Sequence, residues 1–170
     1  MPTADSLLAR NVVLAIVAER PRHGWAVHRE LAPGSDIGRA WSLSRQLTYR
    51  AIDSLVEDGL ARRGAPRDGG GADKVIIAPT ASGRRHSREW LDEPVAHLRD
   101  VRTELLVKMM LREQLGLAPG PFLARQREVF DPLIEVVRTS RDRGVVATWR
   151  RENADAVRRF LDALERQAPR

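Results

Sequence analysis

At Gly59 the hydrophobic period of the chain changes, and few folds accommodate what lies on its two sides. Before it, Tyr49, Ile52, Leu55 and Val56 recur at helical spacing. Gly59 itself is suited to the left-handed turn that terminates a helix. After it, residues 60–63 and 74–78 have strand character, the second through Val75, Ile76 and Ile77. Between the two lies a polar, glycine-rich stretch from Gly64 to Asp73, which makes a hairpin with a long, flexible tip.

Upstream, Leu7, Leu8, Val12, Leu14, Ala15 and Val17 fit a first helix, capped by Asp5 or Ser6 and ended by Pro21-Arg22-His23-Gly24. Trp25, His28 and Leu31 at three-residue intervals suggest a short second helix. Pro33-Gly34-Ser35-Asp36 breaks it. Ser42 or Ser44 then caps a third helix that runs to about Asp58. Three helices followed by a hairpin give the order of a winged helix. The expected fold is mainly α with a small β-hairpin. It comprises an N-terminal winged helix-turn-helix over residues 1–91 and a helical C-terminal region over residues 92–170.

A helix introduced by Thr80-Ala81-Ser82-Gly83, capped by Thr80 or Ser82, carries the chain through Trp90 and Leu91 to Pro94, where the C-terminal region takes over. Val95, Leu98, Val101, Leu105, Leu106 and Met109 continue as one stripe ending near Gly116. After the Ala118-Pro119-Gly120-Pro121 turn, Phe122, Val129, Phe130, Leu133 and Val137 mark another helix. Beyond Gly144, Val146, Trp149, Asn153, Ala156, Phe160 and Leu164 alternate in threes and fours, the spacing of a helix–helix seam. Trp149, Asn153 and Phe160 are therefore the candidates for a dimer contact or an effector site. Asn153 either fixes register as a buried asparagine or sits at the surface or in an intrachain hydrogen bond.

Charge points to a polyanion. The formal net charge is +6, and arginine far outnumbers lysine. Guanidinium groups suit phosphate and guanine, although a GC-rich genome produces the same bias. An α-helix fits the major groove, and its N-terminal residues reach the base edges. In the third helix these are Ser42, Ser44, Arg45, Gln46 and Thr48, with Arg50 farther along. Arg45 can fork to guanine and Gln46 can pair with adenine, while Thr48 and Tyr49 can hold phosphates and set register. The hairpin adds Arg62, Arg63, Arg67 and Lys74 for the backbone or minor groove.

Several of these segments resemble one family. His23-Gly24-Trp25, the run from Ser44 through Leu47-Thr48-Tyr49-Arg50-Ala51-Ile52, and Leu55-Val56-Glu57-Asp58-Gly59-Leu60 resemble the PadR family of bacterial transcriptional regulators. Thr80-Ala81-Ser82-Gly83 and Trp90-Leu91 match the same pattern farther on, so the resemblance spans about residues 6 to 91. Trp25 stands where the family commonly has tyrosine, and the wing tip is richer in glycine. The resemblance implies a homodimer joined through C-terminal helices, Tyr49 and its helix facing a double-stranded DNA operator, and repression of transcription. A small-molecule effector between the C-terminal helices is the corresponding means of release.

Other readings are weaker. A winged helix can serve as a protein-interaction module without sequence-specific DNA binding. Trp25, Trp41, Trp90 and Trp149 either line an aromatic effector pocket or pack between helices, and Met109-Met110 either adapts to a ligand or fills core. His86 and Glu89 stand one helical turn apart beside Arg84, Arg85 and Arg88, which is too little for a metal site. No catalytic triad, phosphate-binding loop or dinucleotide fingerprint is visible. The expectation is a non-enzyme without cofactor or metal. There are no cysteines, no apolar run of membrane length and no secretory pattern at Met1-Pro2-Thr3-Ala4-Asp5-Ser6, so the expected location is cytoplasmic.

Overall fold

The computed structural model describes residues 4–64 and 75–167, and the chain divides into two compact units, Met1–Glu93 and Pro94–Arg170. Arg67 and Lys74 of the expected wing tip lie outside the described residues.

The first unit is built around α1 (Ala4–Glu19), in which Val12 through Val17 are all buried. A helix hydrophobic all round belongs in the middle of a core, and α1 packs against α2 (Gly24–Leu31), α4 (Arg45–Glu57), α5 (Ala81–Asp92) and strand β3 (Ile76–Pro79). Burial of this run outweighs the modest cost of its β-branched residues in a helix. Two short elements were not expected. Residues Arg22–His23 form strand β1 rather than only a turn, and Asp36–Ala40 form helix α3 between the expected break and the expected third helix. Ser35 caps α3 by accepting the Gly38 N–H at 2.9 Å, and Ile37 anchors it in the core. In α2 the buried residues are Gly24, Val27 and Leu31. Trp25, expected on the apolar stripe, is instead 47% exposed beneath the Arg29 guanidinium.

The hairpin consists of β2 (Ala61–Arg63) and β3 (Ile76–Pro79), antiparallel, with Arg62 opposite Ala78. β3 is the central strand, because β1 pairs with its other edge and sets Arg22 opposite Ile77. The sheet therefore has three strands among the described residues. Arg22 is buried at its edge and offset by Glu19 and by Glu30 at 3.0 Å. The order α1-β1-α2-α3-α4-β2-β3 is that of a winged helix with one additional short helix.

The second unit begins with Val95, whose backbone N–H and C=O are both held by the buried side-chain amide of Gln126, at 2.8 and 2.9 Å. A 3-10 turn (Leu98–Asp100) and a π-helical turn (Val101–Leu105) lead into α6 (Leu106–Gln114). Two long helices follow, α7 (Pro119–Thr139) and α8 (Val145–Gln167), packed on each other. α7 starts at Pro119, inside the expected turn, because proline at the first helical position forfeits no hydrogen bond. The core joins Phe122, Leu123, Phe130 and Ile134 of α7 to Ala154, Val157 and Leu161 of α8. Arg127 of α7 pairs with Asp162 and with Glu165 at 2.7 Å. Hydrogen bonding to Glu165 raises its pKa above the ordinary arginine value against the opposing effect of burial, and Asp162 and Asp131 add to the rise.

Candidate nucleic-acid interface

Helix α4 is the centre of the candidate site, and its two ends are chemically fixed. At the start, Ser44 rather than Ser42 is the cap, its hydroxyl accepting the Leu47 N–H at 3.3 Å. At the end, Gly59 adopts a φ of +67°, its N–H reaches the Val56 carbonyl at 3.1 Å, and the Leu60 N–H reaches Leu55 at 2.9 Å. These paired bonds satisfy carbonyls that the last turn leaves open, and a positive φ is comfortable only for glycine. The chain then turns directly into the hairpin. Thr80, capping α5, locks this corner: its N–H reaches the Leu60 carbonyl at 3.0 Å and its hydroxyl donates to the Gly59 carbonyl at 2.8 Å. Arg10 of α1 adds an ion pair to Asp58.

Between these ends, α4 buries Thr48, Ala51, Ile52 and Leu55 and exposes Arg45, Gln46, Leu47, Arg50 and Asp53. The exposed face is cationic at its start. No acidic residue occurs between Asp36 and Asp53, and Asp53 is paired with Arg63 of β2. That pair also brings the base of the wing beside the middle of α4. Arg62, next along β2, is exposed. The helix N-terminus supplies a further partial positive charge.

Thr48 corrects the sequence-based assignment. It is 0% exposed, and its hydroxyl donates to the Ser44 carbonyl at 2.9 Å, so its side chain is not available to a phosphate. Tyr49 is half-buried. Its ring lies against Gly24, where an added Cβ would stand 3.1 Å from Cε1, and the Arg45 guanidinium sits 5.6 Å from the ring centre. The contact explains why glycine precedes Trp25 in α2: it leaves room for the ring of Tyr49. Ser42, Ser44, Arg45, Gln46 and Arg50 are exposed. Sequence reasoning missed Leu47, which is 44% exposed and lines a cleft of about 450 Å³ with Trp41, Ser42, Leu43 and Arg50.

The C-terminal candidates occupy different environments. Trp149 is 68% exposed, Asn153 and Phe160 are half-buried, and Phe160 borders a second cleft of about 680 Å³ with Met109, Met110, Leu117 and Leu164. His86 faces Asn11 at 3.0 Å and Glu89 lies near Arg85. Among the described residues, no group of His, Asp or Glu is placed to hold a metal ion, and no helix is long and apolar enough to cross a membrane.

Fold and surface together define a winged helix whose α4 is exposed and cationic at its start. No family model matches the sequence, and no curated protein matches it. Among solved structures, Bacillus subtilis PadR in complex with operator DNA matches at 14% identity and a TM-score of 0.48, covering 91% of this chain and 96% of that one. The same protein in complex with p-coumaric acid matches at 14% identity and a TM-score of 0.46, covering 96% of each chain. A further crystal structure of Bacillus subtilis PadR matches at 14% identity and a TM-score of 0.45, again over 96% of each chain. A likeness of this degree says nothing about function, which has to be argued from the surface itself.

Proposed function

We propose that the chain is a PadR-like transcriptional regulator that binds double-stranded operator DNA as a homodimer and represses transcription. The observation that carries this reading is the first half of α4. A capped helix presents Arg45, Gln46 and Arg50 to solvent with no carboxylate among them, and the wing arginines stand alongside. Arginine and glutamine at the start of a helix are groups that fork to guanine and adenine in a major groove. In this reading Arg62 meets the flanking backbone, Arg63 does so on exchanging Asp53 for a phosphate, and Arg67 and Lys74 are further wing contacts. Tyr49, steadied by Gly24, sets register against a phosphate.

The residues of 1–91 form the DNA-binding part in this reading, and those of 92–170 the dimerising part. α8 supports it by carrying two apolar faces. Ala154, Val157 and Leu161 are spent on its own core, while Val146, Trp149, Asn153, Ala156 and Phe160 lie on a neighbouring stripe that is exposed or half-buried. A second copy covering that stripe produces a two-fold dimer, and hence a roughly palindromic operator with half-sites about one or two helical turns apart. The cleft beside Phe160 has the size and apolar lining for a small effector that alters the spacing of the helices.

Polarisation or gel-shift assays with DNA from the protein's own promoter region test the DNA-binding claim. Binding is expected to survive competitor DNA, to weaken with salt, and to fall about tenfold or more in Arg45→Ala, the loss of one bidentate base contact. Binding that competitor DNA abolishes, with Arg45→Ala equal to wild type, would leave the protein-interaction reading in its place.

A further inference from the structure

We propose that Leu47 reads a thymine, by placing its side chain against the 5-methyl group in the major groove; this rests on the DNA-binding reading above. Leu47 is the third residue of α4, directly after Arg45 and Gln46, at the end of the helix that enters the groove. It does not belong to the stripe that holds α4 to the core, which consists of Thr48, Ala51, Ile52 and Leu55, all buried. Instead it is 44% exposed between two exposed polar residues, Gln46 and Arg50. Its backbone N–H is bound by the Ser44 cap, which fixes the first turn and with it the direction of the side chain. On its other side is a cleft that it shares with Ser6, Ala9 and Arg10 of α1 and with the half-buried Trp41 and the buried Leu43. The major-groove edges of the four base pairs offer donors, acceptors and a single apolar group, the methyl of thymine. An apolar side chain on this turn has that methyl as its matching partner. The neighbouring Arg50 attracts an adjoining phosphate.

The test uses the full-length protein and a binding site obtained by selection, in which each thymine is replaced in turn by deoxyuridine. The replacement removes only the methyl. One position is expected at which it weakens wild-type binding about fourfold, the worth of burying one methyl. At that position Leu47→Ala should bind the thymine and deoxyuridine sites equally, while Leu47→Met should retain the discrimination. Deoxyuridine replacements that affect wild type and Leu47→Ala alike, or that affect neither, overturn the assignment while leaving sequence-specific binding intact. Failure to select any site removes the DNA-binding reading itself, and the assignment with it.

Discussion

Single residues decide whether α4 and its support hold their shape. Gly83 is required by a close approach: a Cβ there would lie 1.9 Å from the Leu60 carbonyl oxygen, inside backbone that cannot retreat. Gly83→Ala is expected to cost about 3 kcal/mol or more, seen as a lower urea midpoint with an unchanged slope. Gly24→Ala presses on the ring of Tyr49 rather than on backbone, so a smaller stability loss of about 1 kcal/mol is expected. Its affinity for DNA should fall by more than that loss of stability explains. Measuring both in the same variant checks the role given to Tyr49. These contacts also show where the sequence was legible. The Thr80-Ala81-Ser82-Gly83 pattern announced a cap, and a cap is there. Thr48 misled because a threonine at the start of a helix is equally suited to a phosphate and to the carbonyl one turn back. Only packing reveals that it faces inward.

At the level of elements, the proposed interface joins the start of α4 to strand β2, which the Asp53–Arg63 pair holds beside it. Each phosphate contact contributes about 0.9 to the slope of log affinity against log salt. Arg50→Ala and Arg62→Ala, both at exposed positions, are each expected to lower that slope by about one while leaving the melting temperature nearly unchanged. An unchanged slope in either variant removes that arginine from the interface. The α7–α8 hairpin depends on a different device. Arg127 gathers Asp131, Asp162 and Glu165, and Arg127→Met would leave three carboxylates facing one another. A loss of about 1–2 kcal/mol is expected by chemical denaturation. Because folding raises the Arg127 pKa, the arginine charge sustains this contribution up to the ordinary arginine value and loses it only above; in acid it is lost instead as carboxylates are neutralised. Long elements were readable from their periodicity. β1 and α3 were not, since two and five residues are too few to display a period, and each exists because a neighbour, β3 or the Ser35 cap, completes it.

For the molecule as a whole, the sequence stripe on α8 proved informative in an indirect way. Val146, Trp149, Asn153, Ala156, Phe160 and Leu164 read as a seam, yet the chain's own core is made by Ala154, Val157 and Leu161, with Phe160 and Leu164 only partly packed against it. Periodicity identifies an apolar face without saying which partner covers it. If a second copy does, wild type will be a dimer by light scattering at micromolar concentration, and Trp149→Glu will shift it toward monomer and weaken operator binding more than half-site binding. A monomeric wild type contradicts the seam. The central claim, that α4 reads DNA sequence, is tested most directly by selecting bound duplexes from a random library with the intact protein. The account predicts enrichment of one motif made of two inverted half-sites, with the preference at particular positions relaxed by Arg45→Ala and Gln46→Ala. A library that stays random after repeated selection at low salt would contradict it.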